Sequence, residues 1–298
     1  MRLDDQQQSR NIEDRRGMSG GRGRGRSPLG GGGRKIGLGT IVLALAAWYF
    51  FGVNPMTILG GGDIMGSLTG AGSAQTYETT GKTGAEMTDA EGIFVSKVLK
   101  TTETVWERIF RENGWGQYPQ PRLVLYSGLT PTACGTGQAQ MGPFYCPADQ
   151  KVYIDLSFFR DTGRRLGVKG DFAQGYVIAH EVGHHVQNRL GILDQVNRAR
   201  QSNSRQANQV SVMSELQADC FAGLWAHQLH REGQVIEPGD IEEAMNAAAA
   251  VGDDRIQKSQ RGYAVPDSFT HGSSEQRVAW FTRGLQSGNI QQCDPFRG

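Results

Sequence analysis

The chain has 298 residues, with 31 Lys and Arg against 30 Asp and Glu and a formal net charge of +1. That length fits one or two domains, and so balanced a total says little about partners. The Gly-Arg run Gly20–Arg26 could touch nucleic acid or anionic lipid but is read as a solvated basic tail that sets membrane orientation, so no nucleic acid is expected. The average hides a split: residues 1–35 carry 9 basic and 4 acidic side chains, a net of +5, and the remainder has a net of −4.

Met1–Lys35 is polar, rich in Arg and Gly and without apolar periodicity, which reads as a disordered basic tail. Arg15-Arg16 is a twin arginine, but Gly17-Met18-Ser19 follows where an export signal would turn apolar. Ile36–Val53 is an uncharged apolar run of transmembrane length, with Trp48 and Tyr49 at its distal end where interfacial aromatics belong. A cleavable signal peptide, processed near Ala44-Leu45-Ala46, is the alternative. Phe50 and Phe51 extend the run past that point and favour an uncleaved anchor. The basic flank predicts a single-pass membrane protein with a cytoplasmic N-terminus and everything after Val53 outside the cytoplasm. Residues 54–87 are rich in Gly, Ser and Thr and read as a flexible linker. Residues 88–298 are long enough to bury a core of their own.

Within that region Thr88-Asp89-Ala90-Glu91 has the form of a capping box, opening a helix that runs to about Glu112. Arg122–Tyr126 reads as a short strand and Thr132–Pro147 as a loop. Lys151–Phe159 has the clearest strand pattern, and its edge is a place for an extended substrate to pair. Four cysteines in a segment expected outside the cytoplasm suggest two disulfides. Three pairings are possible. Cys134 with Cys146 closes a short loop worth about 3 kcal/mol, which leaves Cys220 with Cys293.

Asp171–Leu190 is the next helix, with Gly191 after it, and contains His180-Glu181-Val182-Gly183-His184. Residues four apart share a helix face, so His180 and His184 can hold one metal ion, with Glu181 beside them to reach a water. His185 points about 140° away from His180 and is excluded as a ligand. Ile192–Val210 reads as a loop, partly helical, positioned to overhang the site. Ser211–Arg231 resumes helical periodicity, and further helices start at Asp240 and Ser274. A catalytic zinc site takes three protein ligands and leaves a fourth position to water. No histidine occurs between His185 and His227, so the third ligand is assigned to Glu215, with Asp219 one turn on to orient a ligand histidine. His227 and His230 are read as structural.

An H-E-x-x-H helix followed by E-x-x-x-D resembles the gluzincin metallopeptidases. Residues 142–149 (GPFYCPAD), 177–185 (VIAHEVGHH) and 270–274 (THGSS) resemble the bacterial family known as putative neutral zinc metallopeptidases, over nearly the whole chain. The resemblance implies an α+β, zincin-like domain, mainly helical with a small sheet. It also implies one catalytic zinc ion and hydrolysis of a protein or peptide substrate, with Glu181 as general base. His271 is the candidate for stabilising the developing oxyanion, by similarity to a downstream histidine of related membrane gluzincins, and Arg277 is a weaker one. A zinc-stabilised extracytoplasmic binding or scaffold module, catalytically weak or inactive, is the competing reading. The presence of Glu181, which a scaffold would not need, argues against it.

Overall fold

Hydrophobic burial gathers the chain around one five-stranded sheet and a set of helices packed against it. The computed structural model describes residues 1–17, 81–160, 168–202, 206–231 and 235–297. The strands are β1 (Ile12–Asp14), β2 (Lys82–Thr83), β3 (Arg122–Tyr126), β4 (Leu129–Thr132), β5 (Gly135–Gln138), β6 (Phe144–Cys146) and β7 (Lys151–Asp155). The main sheet has the order β2-β1-β3-β7-β6. β1, β3 and β7 run parallel, while β2 and β6 are antiparallel to their neighbours. β4 and β5 form a separate hairpin.

The helices are α1 (Ala90–Glu112), α2 (Asp171–Arg189), α3 (Ile192–Ser202), α4 (Ala207–Arg231), α5 (Asp240–Ala250), α6 (Asp253–Arg261) and α7 (Ser274–Ser287). The mixed α+β class is as expected. α1 begins one residue later than a Thr88 cap would place it. Asp89 is the N-cap, its carboxylate accepting from the Gly92 N–H, because Asp satisfies an orphan helix donor as well as Thr does. At α7 a full capping box forms between Ser273 and Gln276.

The basic tail is corrected at its start. Residues 1–17 are ordered, and β1 sits inside the sheet between β2 and β3. Ile12 is buried, Glu13 pairs with Arg15 at 2.7 Å and with Lys151 at 2.9 Å, and Arg16 pairs with Asp14 and Asp89. The twin arginine is thus structural, and the domain includes residues 1–17 together with the chain after residue 80. The expected membrane helix Ile36–Val53 lies outside the described residues, as does most of the expected linker. Among the described residues no helix is long and apolar enough to cross a membrane.

Three further expectations change. The loop after β3 carries the β4–β5 hairpin and β6. The strand at Lys151 ends at Asp155, and residues 157–160 are helical. Much of the region read as the loop Ile192–Val210 is helical, as α3 and the first turn of α4. Both disulfides form with the expected partners, Cys134–Cys146 and Cys220–Cys293. The first ties the hairpin to β6. The second fastens the C-terminal segment to α4.

Two glycine contacts set the helix packing that builds the site. A Cβ on Gly183 of α2 would stand 3.2 Å from the Ala218 backbone of α4. A Cβ on Gly223 of α4 would stand 2.0 Å from the Phe281 carbonyl oxygen of α7, and one on Gly284 would meet the Cys220 carbonyl oxygen at the same distance. Only glycine lets these helix backbones approach so closely. Around them Trp106 meets Phe221 edge-on and Phe172 stacks on Trp225.

Candidate metal centre

α2 presents His180 and His184 from successive turns of one face, and α4 brings Glu215 against them. Their ligand atoms lie within 4.8 Å of one another. Glu215 Oε2 is 3.2 Å from His180 Nε2, and Oε1 is 3.4 Å from His184 Nε2. The Nε2 atoms of both rings therefore converge on one carboxylate. This donor set, two imidazoles and a carboxylate, is one that suits zinc.

The far side of each ring is also held. His180 Nδ1 is 2.9 Å from Asp219 Oδ1, so Asp219 lies where its spacing from Glu215 placed it. His184 Nδ1 is 2.8 Å from Gln187 Oε1. The Gln187 amide donates to the Ser214 carbonyl at 2.7 Å and to Gln217 Oε1 at 3.0 Å, which fixes its orientation. Both rings thus have an acceptor at Nδ1, which favours the tautomer with an Nε2 lone pair free for a metal. Gln187 was not anticipated. It lies three residues after His184 on the same helix, a spacing that puts it in reach.

Asp219 is fully buried and needs more than a histidine to remain charged. Arg277 of α7 supplies the charge, donating from Nε to Oδ2 at 2.8 Å and from Nη2 to Oδ1 at 2.9 Å, while the Tyr176 hydroxyl donates at 2.5 Å. Arg277 is itself 3% exposed. Its guanidinium grips Asp219, and Nη2 also lies 3.3 Å from His180 Nδ1 and 4.0 Å from Glu215 Oε2, at the wall of the cleft.

The electrostatics of the three convergent groups favour a cation. Burial disfavours charge on His180, yet Asp219 and Glu215 outweigh it and raise its pKa to about 9. Burial also opposes the charge on His184, and Glu215 again reverses the balance. Burial alone would push Glu215 up, but the two histidines hold it well below the carboxylate range. The residues present therefore fit a divalent ion by geometry, donor chemistry and field.

Glu181 differs from its neighbours. It is 8% exposed, and burial pushes its pKa upward against the pull of the two histidines. Among the described residues its carboxylate makes no hydrogen bond or ion pair. His185 points away, with Nδ1 3.1 Å from the Tyr145 hydroxyl and Nε2 2.5 Å from the Pro119 carbonyl oxygen. Burial lowers its pKa to about 4, so it stays neutral. His227 binds the Leu285 carbonyl, and His230 is exposed.

His180, Glu181, His184, Glu215 and Arg277 line one wall of a cleft of about 640 Å³. α3 contributes Val196 and Arg200, β6 contributes Phe144 and Tyr145, and His271 stands in the lining from the turn before α7. Asp253, at the start of α6, fixes that turn. Its Oδ2 accepts from the backbone N–H groups of Thr270 and His271 at 2.7 Å each and Gly272 at 3.2 Å, and its Oδ1 lies 3.2 Å from His271 Nδ1. That contact with Asp253 raises the His271 pKa. Asp253 was not anticipated, because α6 is almost wholly polar and gives little apolar signal. The expected substrate edge also moves. β7 is paired on both sides, and the outer strand facing the cleft is β6.

A family model described as "Putative neutral zinc metallopeptidase" matches residues 1–296. The chain belongs to this family. It is 50% identical over 302 residues to the uncharacterized protein YpfJ of Escherichia coli (strain K12), covering 99% of each chain. It is 41% identical over 228 residues to an uncharacterized protein of Mycobacterium tuberculosis (strain ATCC 25618 / H37Rv), covering 72% of this chain and 74% of the relative. No solved structure matches it.

Proposed function

We propose that this protein is a zinc-dependent peptidase, with His180, His184 and Glu215 as the metal ligands. The observation that carries the reading is Glu181, a buried carboxylate beside three convergent ligands with no hydrogen-bond or ion-pair partner among the described residues. A zinc-stabilised scaffold needs the ligands and leaves such a carboxylate without a purpose.

Zinc held there would lower the pKa of a bound water toward neutrality and polarise the carbonyl to be attacked. Glu181, buried beside the ligands, would accept the water's proton and pass it to the leaving amine. His271, whose pKa the Asp253 contact raises, would in its cationic form stabilise negative charge developing on the substrate oxygen. Asp219, Arg277 and Gln187 are positioning residues that hold the ligand rings. An extended peptide would pair with the outer edge of β6, where backbone hydrogen bonds fix its register without regard to sequence. A cavity of about 290 Å³, lined by Ala173, Ala247 and Val168, adjoins the cleft past Phe158, Val177 and Val251 and suits a bulky apolar side chain. The two disulfides support an oxidising, extracytoplasmic compartment.

The test compares bound zinc and casein cleavage in wild type, Glu181→Gln and Glu215→Ala. Glu181→Gln is expected to keep zinc and lose cleavage, and Glu215→Ala to lose much of both. Cleavage that survives Glu181→Gln sinks the proposal.

A further inference from the structure

The N-terminal arm bears on where the domain resides. We infer that residues 1–17 share a compartment with the candidate metal centre, so that β1 and both of its partner strands lie on the same side of any membrane the protein meets. This stands apart from the peptidase reading and needs no catalytic activity.

The arm is an interior part of the domain. β1 pairs with β3 in register, Ile12 opposite Leu123 and Asp14 opposite Leu125, and the pairing extends where the Arg15 N–H donates to the Leu125 carbonyl at 2.8 Å. Ser9, Ile12, Glu13 and Arg15 are all buried. Their partners lie far along the chain. The Ser9 hydroxyl donates to buried Glu103 at 2.5 Å, Lys151 to Glu13 at 2.9 Å, and Arg15 to Thr130 Oγ1 at 2.9 Å and the Pro131 carbonyl at 3.0 Å. Without the arm, Glu103 loses two hydrogen-bond donors, Ser9 and Asn11, and Lys151 its ion-pair partner. β3, with Leu123 and Leu125, then has an unpaired edge of the kind that recruits other strands.

The chain also returns beside the point where it leaves. β2 pairs antiparallel with β1, Glu13 opposite Thr83, and a Cβ on Gly81 would stand 3.0 Å from the Asp14 carbonyl oxygen. The single-pass topology expected from the apolar run 36–53 would place β1 on one side of the bilayer and both of its partner strands on the other. A processing cut near residues 44–46 would instead detach the arm from the domain covalently. The sheet accommodates neither unless the arm is carried to the domain's own side.

The test labels two full-length variants, Asp5→Cys on the exposed arm and Gln117→Cys on the exposed domain surface, with a membrane-impermeant maleimide. Intact cells are compared with permeabilised ones, and denatured protein gives the total. Both positions are expected to label to the same extent, whether in intact cells or only after permeabilisation. One position labelled in intact cells and the other only after permeabilisation overturns the inference. A third variant, Asp14→Cys with Lys82→Cys, checks docking directly, because those positions are cross-strand partners. Mild oxidation of intact cells should join the two peptides in a chain whose native disulfides have formed, and absence of that link also overturns it.

Discussion

Replacing Gly223 by Ala tests how α4 and α7 position the site. The added Cβ would lie 2.0 Å from the Phe281 carbonyl oxygen, 2.8 Å from the Leu285 nitrogen and 2.9 Å from the Phe281 carbonyl carbon. All three are backbone atoms, so no rotamer change relieves the contact, and the helices must part by roughly 1.4 Å to bring the 2.0 Å contact to ordinary packing distance. Overpacking of this kind costs about 1–3 kcal/mol, and rigid obstacles place this case at the upper end. Ala regains about 1 kcal/mol through its helix propensity. A net loss of about 2 kcal/mol corresponds to a fall in Tm of roughly 4–8 °C for a domain of this size. Gly183→Ala, whose Cβ would meet the Ala218 backbone at 3.2 Å, should cost less. Thermal unfolding of the metal-free, disulfide-intact protein, followed by circular dichroism, gives both values. Because α4 carries Glu215 and Asp219 and α7 carries Arg277, zinc affinity should fall alongside Tm in Gly223→Ala. An unchanged or higher Tm would refute the close helix crossing.

Two other substitutions probe the site's electrostatics. Arg277→Met leaves the Asp219 carboxylate buried without its bidentate partner and should destabilise the metal-free protein by about 3–5 kcal/mol. Urea unfolding reads this directly, and a loss within error of zero contradicts the assigned pairing. Asp253→Asn keeps an oxygen for the three backbone N–H groups but removes the charge beside His271. The folded His271 pKa lies above its ordinary value, so the cationic form persists above that value and is lost as pH rises through the folded pKa. The alkaline limb of kcat/KM should therefore move to lower pH in Asp253→Asn, and a profile unmoved from wild type counts against a cationic role for His271.

What the sequence disclosed follows the range of the interactions involved. His180, Glu181 and His184 were legible because helical spacing alone puts them together. Glu215 and Asp219 were legible because a zinc site lacking a third ligand directs attention to the next apolar-periodic helix. Asp253 was not, since its value lies in a turn 17–19 residues downstream that a polar helix does not advertise. The arm was misread for a related reason. A window over residues 1–35 is dominated by its Gly-Arg half, whereas Ile12–Asp14 takes its order from β3, more than a hundred residues on. β7 showed strand character clearly, but which strand lies outermost is a property of the whole sheet, and β6 is only three residues long.

The central claim is that one zinc ion is held by two histidines of α2 and Glu215 of α4. X-ray absorption at the zinc edge on the full-length, zinc-loaded protein tests it most directly. The expected shell has two imidazole nitrogens, one carboxylate oxygen and one further light atom at about 2.0–2.2 Å, with the carboxylate contribution lost in Glu215→Ala. A sulfur scatterer at about 2.3 Å, or a shell unchanged by Glu215→Ala, would contradict it.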